Sequence, residues 1–134
     1  MVKAPLVAIV DDDDDVREAL SDLIAVLGLA CRTFDRAEAL LAECRPGTFD
    51  CIVTDVKMPG IDGLELLRRL RRSIPVIVIT SDSSSMTHLR ALEEGAHACL
   101  TKPIEGHVLL GHLESALTGG GFLLDGAGEE ESDG

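Results

Sequence analysis

The sequence predicts an α/β fold: a doubly wound sheet of five parallel strands, in the order 2-1-3-4-5, with helices on both faces. Three observations carry that expectation. Strand-length segments, most of them apolar runs, alternate five times with segments of helical character. Gly, Pro or clustered polar residues punctuate the boundaries. The 134 residues suffice for one core of ordinary size but not for two.

Leu6 to Val10 is a continuous apolar run stopped by charge, the pattern of a strand buried on both faces. Asp14 or Asp15 is expected to cap the first helix, in which Val16, Ala19, Leu20, Leu23, Ile24 and Leu27 form an apolar stripe ended by Gly28. Ala30 to Phe34 and Ala37 to Glu43 repeat the strand and helix, and Arg45-Pro46-Gly47 supplies a turn. Cys51 to Thr54 reads as the third strand, followed after a loop by a helix from Leu64 to Arg71. Pro75 opens Val76-Ile77-Val78-Ile79, the most strand-like stretch of the chain. Ser83 to Ser85 then offer a cap for a helix through Leu89, Leu92 and Glu94, which Gly95 terminates. A strand from Ala98 to Thr101 and a helix from about Glu105 to Leu117 complete the series. These elements make one domain, 1–117. Residues 118–134 are Gly-rich and acidic, with only Phe122, Leu123 and Leu124 as an apolar island, and are expected to form a disordered tail.

Composition narrows the function classes. A net charge of −12 and a pI near 4.5 oppose direct binding to a nucleic-acid backbone. Asp125, Glu129, Glu130, Glu131 and Asp133 lie beyond the last Lys or Arg, yet the body without them is still acidic. With no Trp or Tyr and three Phe, the chain has little on which bases could stack. Cys31, Cys44, Cys51 and Cys99 are irregularly spaced and are read as reduced thiols rather than zinc ligands. His88, His97, His107 and His112 share no metal spacing either. Arg68, Arg69, Arg71 and Arg72 interleave with Leu67 and Leu70 at helical spacing, so they read as a solvated helix face. Neither a secretory signal nor a membrane span is evident, which predicts a cytoplasmic protein.

Ligands of open parallel sheets bind beyond the carboxyl ends of the strands, where the strand order reverses. Four strands deliver a reactive side chain there: Asp11 and Asp12 after the first, Asp55 after the third, Thr80 closing the fourth and Lys102 just past the fifth. The second offers only Asp35. Asp13, Asp14 and Asp15 read as a solvated loop with a helix cap. Carboxylates gathered at one point raise each other's pKa unless a cation neutralises them, and an all-oxygen acidic pocket suits Mg²⁺. A carboxylate can also accept a phosphoryl group covalently, with Thr80 and Lys102 stabilising its oxygens.

The segments Val10-Asp11-Asp12, Thr54-Asp55-Val56-Lys57-Met58-Pro59-Gly60 with Asp62-Gly63, Val78-Ile79-Thr80, and Thr101-Lys102-Pro103 resemble the signature set of two-component response-regulator receiver domains. The resemblance covers residues 6 to about 117 and implies a flavodoxin-like receiver fold. It implies that Asp55 is the phosphoacceptor and that Asp12 and Asp55 ligate Mg²⁺ directly. The Lys57 backbone carbonyl would be a third ligand and Asp11 would act through water. Thr80 and Lys102 would contact the phosphoryl oxygens, and Lys102-Pro103 would be a cis peptide. A sensor histidine kinase or phosphotransfer protein would donate the phosphoryl group, and the face made by helix 4, strand 5 and helix 5 would carry the signal to a downstream protein. Asp55 to Gly60 looks most like receivers fused to helix-turn-helix output domains. No such domain follows here, so the chain is either a stand-alone receiver or part of a longer regulator, and a phosphorylation-linked dimer stays open.

Two departures stand out. Receivers usually carry Tyr or Phe three residues before the lysine, where this chain has Cys99, and Ser81 is followed by Asp82 and a serine run. Two rival readings remain. Asp11-Asp12-Asp13 satisfies the Asp-x-Asp of haloacid-dehalogenase-like phosphohydrolases, although that leaves Asp55 idle. A pseudo-receiver that signals by constitutive protein contact is the other.

Overall fold

The computed structural model describes residues 5–45 and 47–118. Residues 119–134 of the expected tail lie outside the described residues. Strands β1 (Leu6–Val10), β2 (Ala30–Phe34), β3 (Cys51–Asp55), β4 (Val76–Thr80) and β5 (Ala98–Thr101) pair in parallel in the order β2-β1-β3-β4-β5. Helices α1 (Asp14–Val26), α2 (Ala37–Glu43), α3 (Gly63–Leu70), α4 (Ser85–Glu93) and α5 (Gly106–Leu117) alternate with them. The predicted fold class and strand order are therefore those observed.

Side chains alternate between the two faces of each strand, and each face has its own helices. Val7, Ile9, Cys51, Val53, Ile77 and Ile79 pack against Leu20 and Ile24 of α1 and Leu109 and Leu113 of α5. Ala8, Val10, Ile52, Val76 and Val78 pack under α2, α3 and α4. Every residue of β3 and β4 is buried, as the continuous apolar runs predict for strands covered on both sides.

Local chemistry moved several boundaries. The N-cap of α1 is Asp13 rather than Asp14 or Asp15: its extended backbone lets its carboxylate accept the N–H groups of Asp15 and Val16. Ala19 is exposed, because it lies about 100° around the helix from Leu20, outside the stripe that Leu20 and Ile24 centre. The third strand runs one residue further than Thr54 and includes Asp55. Helix α3 starts at Gly63 and stops at Leu70, because Arg71 takes a left-handed conformation (φ 53°). Ser84, within the predicted serine run, caps α4 by accepting the N–H of Thr87.

The two helices that flank the fourth strand in the sequence are anchored very differently. Helix α3 buries Gly63, Leu64, Leu66, Leu67 and Leu70, whereas α4 buries Ala91 alone. Met86, Leu89 and Leu92 of α4 are 66%, 52% and 47% exposed. Burial of apolar area is what holds most helices to a sheet, so α4 is the weakly held one.

Candidate functional site

The carboxyl ends of β1, β3, β4 and β5 converge on one acidic pocket. Asp11, Asp12 and Asp55 each bring a carboxylate oxygen to within 4.8 Å of the others, with Asp11 and Asp55 buried and Asp12 exposed. Lys102 reaches in from beyond β5: its Nζ donates to Asp55 Oδ2 at 2.9 Å and to Asp11 Oδ2 at 3.3 Å. The peptide bond between Lys102 and Pro103 is cis. The Lys102 N–H donates to the carbonyl of Thr80 at 2.8 Å, which ties the end of β5 to that of β4.

Each side chain is oriented by its own backbone surroundings. Asp55 Oδ1 accepts the Val56 N–H at 2.6 Å while Oδ2 faces Lys102. Asp11 Oδ1 accepts the Asp13 N–H at 2.9 Å, leaving Oδ2 toward the lysine. Helix α3 begins hard against the end of β3, where the Gly63 N–H donates to the Val56 carbonyl at 2.8 Å. A Cβ at position 63 would lie 2.3 Å from the carbonyl oxygen of Asp55, so only glycine permits that approach. The Asp62 carboxylate caps α3 by accepting the Glu65 N–H at 2.8 Å.

Charge in the pocket is unbalanced. Burial pushes the Asp11 carboxyl above its ordinary pKa. The Asp13 N–H opposes the rise, the negative charge of Asp55 adds to it, and Lys102 does not cancel it. For Lys102 burial works downward, but the hydrogen bond and charge of Asp55 together with Asp11 hold its ammonium above the usual value. Three carboxylates meet one ammonium. A buried oxygen cluster that a single cation leaves under-neutralised fits a hard divalent ion, so the donor set is right for Mg²⁺.

Sequence reasoning missed three supports of the site. Arg17 of α1 donates through Nη1 to the Asp11 carbonyl at 2.6 Å and pairs with Asp14. Glu38 of α2 accepts the N–H of Ile61 at 3.2 Å, pinning the loop that follows β3. Asp82 donates its N–H to Thr80 Oγ1 at 3.0 Å. Nothing in spacing flags Arg17 or Glu38, since both reach across from other elements, while the acid two residues beyond Thr80 was visible but unassigned. Among the described residues, the arginines of α3 behave as a helix face: Arg68 pairs with Glu65 and Glu94, and Arg69 with Glu65. All four cysteines are free thiols.

A family model described as the response regulator receiver domain matches residues 7–114. The chain belongs to this family. It is 36% identical over 113 residues to the transcriptional regulatory protein FixJ of Bradyrhizobium diazoefficiens, an alignment covering 81% of this chain and 55% of FixJ. Against the DNA-binding transcriptional regulator NtrC of Salmonella typhimurium it is 34% identical, covering 84% of this chain and 25% of NtrC. Among solved structures, the response regulator StyR superposes with a TM-score of 0.79 at 38% identity, covering 87% of this chain and 60% of StyR. FixJ-N gives 0.76 at 35% identity, covering 87% and 95%. The chain thus spans from a quarter to about half of the curated relatives named here. Receiver domains are signalling modules of two-component systems rather than enzymes in the ordinary sense, and the phosphohydrolase and pseudo-receiver readings are not favoured. Among the described residues no helix is long and apolar enough to cross a membrane.

Proposed function

We propose that this receiver, with 1–117 as its domain, accepts a phosphoryl group on Asp55 from the phosphohistidine of a sensor histidine kinase or phosphotransfer protein. The observation that supports this best is the pairing of a buried Asp55 carboxylate with Lys102 at 2.9 Å, inside a cluster completed by Asp11 and Asp12. An isolated buried carboxylate would be a poor nucleophile and a costly charge. Here the Val56 N–H holds one oxygen and the ammonium the other, so both oxygens are partnered and the carboxylate is aimed.

In the proposed step an Asp55 oxygen forms the new P–O bond as the P–N bond of the donor breaks, with the electron pair leaving on the imidazole nitrogen. Lys102 moves from carboxylate to phosphoryl oxygen and neutralises the charge that transfers. Thr80, buried at the end of β4, donates its hydroxyl proton to a second phosphoryl oxygen. Asp12, Asp55 and the Lys57 carbonyl would hold Mg²⁺ with Asp11 acting through water, and the ion would supply further neutralisation of carboxylate and phosphoryl charge. Water attack at the same phosphorus would return the site to its free state. The face formed by α4, β5 and α5 would carry the change to a downstream protein, and the cytoplasm is the compartment that suits free thiols and a kinase donor.

Incubating the chain with phosphoramidate and Mg²⁺, then reading intact mass and mapping the modified peptide, tests the assignment. The expected outcome is one phosphoryl group on Asp55, absent in Asp55→Asn. Stable labelling that persists in that variant, or that maps to Asp11, would sink it.

A further inference from the structure

Helix α4 is joined to the site by polar groups. Thr80 and Thr101 are register partners at the ends of β4 and β5. Strand alternation puts them on the face of Val78 and Cys99, the face that α4 covers. Each threonine leads to α4. Thr101 Oγ1 shares a hydrogen bond of 3.0 Å with His88 Nε2. Thr80 Oγ1 accepts the N–H of Asp82 at 3.0 Å, and the carboxylate of Asp82 accepts the Ser84 N–H at 2.8 Å and the Thr87 hydroxyl at 2.7 Å. One aspartate therefore bridges the threonine at the site and the first turn of the helix.

We infer that the Thr80–Asp82–Thr87 chain is the element that couples phosphorylation of Asp55 to the position of α4, doing by hydrogen bonds what no aromatic side chain is present at Cys99 to do. The inference rests on the reading of Asp55 as phosphoacceptor and Thr80 as a phosphoryl contact. A hydroxyl has one proton to give and two lone pairs to fill. With the Asp82 N–H on a lone pair, the proton of Thr80 remains available for a phosphoryl oxygen. Donating it draws the hydroxyl toward the strand ends, and the Asp82 N–H either follows or loses its acceptor. Because the carboxylate of the same residue clasps Ser84 and Thr87, following carries the first turn of α4 along. Little apolar packing opposes that movement, since α4 buries Ala91 alone, and what it turns is the exposed row of Met86, Leu89 and Leu92. Thr87 is then a positioning residue that acts through Asp82 and touches none of the reacting atoms.

The test uses the full chain with phosphoramidate and Mg²⁺, with occupancy of Asp55 read by intact mass and hydrogen–deuterium exchange read over residues 82–101. In the wild type, phosphorylation should change exchange in the first two turns of α4 by about fivefold or more, the scale set by one ordinary hydrogen bond. Thr87→Val removes the hydroxyl but keeps the backbone N–H that Ser84 caps. It should reach the same occupancy while its α4 response shrinks below about twofold, and Thr87→Ser should restore the response. Thr87→Ala interrogates the same bond if the β-branched valine unsettles the helix. A response equal to wild type in Thr87→Val and Thr87→Ala at equal occupancy overturns the relay, as does loss of phosphoryl acceptance in either, because the relay acts after the chemistry. A wild-type chain that takes no phosphoryl group on Asp55 is a different result, which removes the reading of that residue and the relay with it.

Discussion

Asp12 is the exposed member of a cluster whose other two carboxylates are buried, so its charge can be removed with little effect on packing. Lys102 alone cannot balance the three acids, and that imbalance would favour a divalent cation in this pocket. A ligand that binds only the folded state stabilises it by about 1.4 kcal/mol at ten times its Kd, or roughly 5 °C in Tm for a domain of this size. Thermal melts with and without millimolar Mg²⁺ should show such a rise in the wild type and none in Asp12→Ala. Equal rises in both would detach Asp12 from the metal site. Cys51 behaves in the opposite sense: burial pushes its thiol up to about 12, so it should resist alkylation at pH 8 in the folded chain and react only when the chain is unfolded.

Between β3 and α3 the helix start is set by atoms that leave no room. Replacing Gly63 by Ala forces a methyl against the Asp55 carbonyl, so helix and strand must separate. We expect a loss near the upper end of the roughly 1–3 kcal/mol typical of overpacking, read by urea melts, together with weaker phosphoryl acceptance because Asp55 shifts. Further along α3, hydrogen bonds from Arg69 and Arg68 hold the Glu65 carboxyl below its ordinary range. A carboxylate depressed in the folded state stabilises that state above its unfolded pKa, about 4.3, and loses the contribution as pH falls through the depressed value. The stability gap between wild type and Glu65→Gln should therefore be constant above about pH 5 and close on acidification. The pair is exposed and small, and a gap that widened toward acid would contradict the sign.

Across the whole molecule, apolar burial is divided unequally between the sheet with its packed helices and α4. Two apolar layers meet at the sheet, and residues such as Leu109 and Ile77 are fully buried within them. Leu109→Ala should cost about 2–5 kcal/mol in equilibrium denaturation, whereas Met86→Ala on the exposed row of α4 should stay within about 0.5 kcal/mol. A comparable loss at Met86 would show that α4 is packed more firmly than its single buried residue implies. On the proposed relay, this difference in burial would let α4 move while the sheet that carries Asp11, Asp55 and Lys102 keeps its packing.

The fold was legible because its signals are local: the short apolar runs, the apolar residues at helical spacing and the turn residues between them specify a parallel sheet with little ambiguity. Asp11, Asp12, Asp55, Thr80 and Lys102 were legible as candidates for the same reason, since each stands at or just past the end of such a run. Errors of a residue at Asp13 and Arg71 arose where backbone conformation, not residue type, decided the cap. What only the tertiary structure decided is how those residues are held. The Lys102 ammonium between Asp11 and Asp55, the Arg17 bond to the Asp11 carbonyl, the Glu38 bond to Ile61 and the Asp82 bridge from Thr80 to Thr87 are geometric facts. Most of these join different elements of the fold. A contact between residues up to 91 apart has no periodicity for a sequence to display, because it forms only once the strands have brought their ends together.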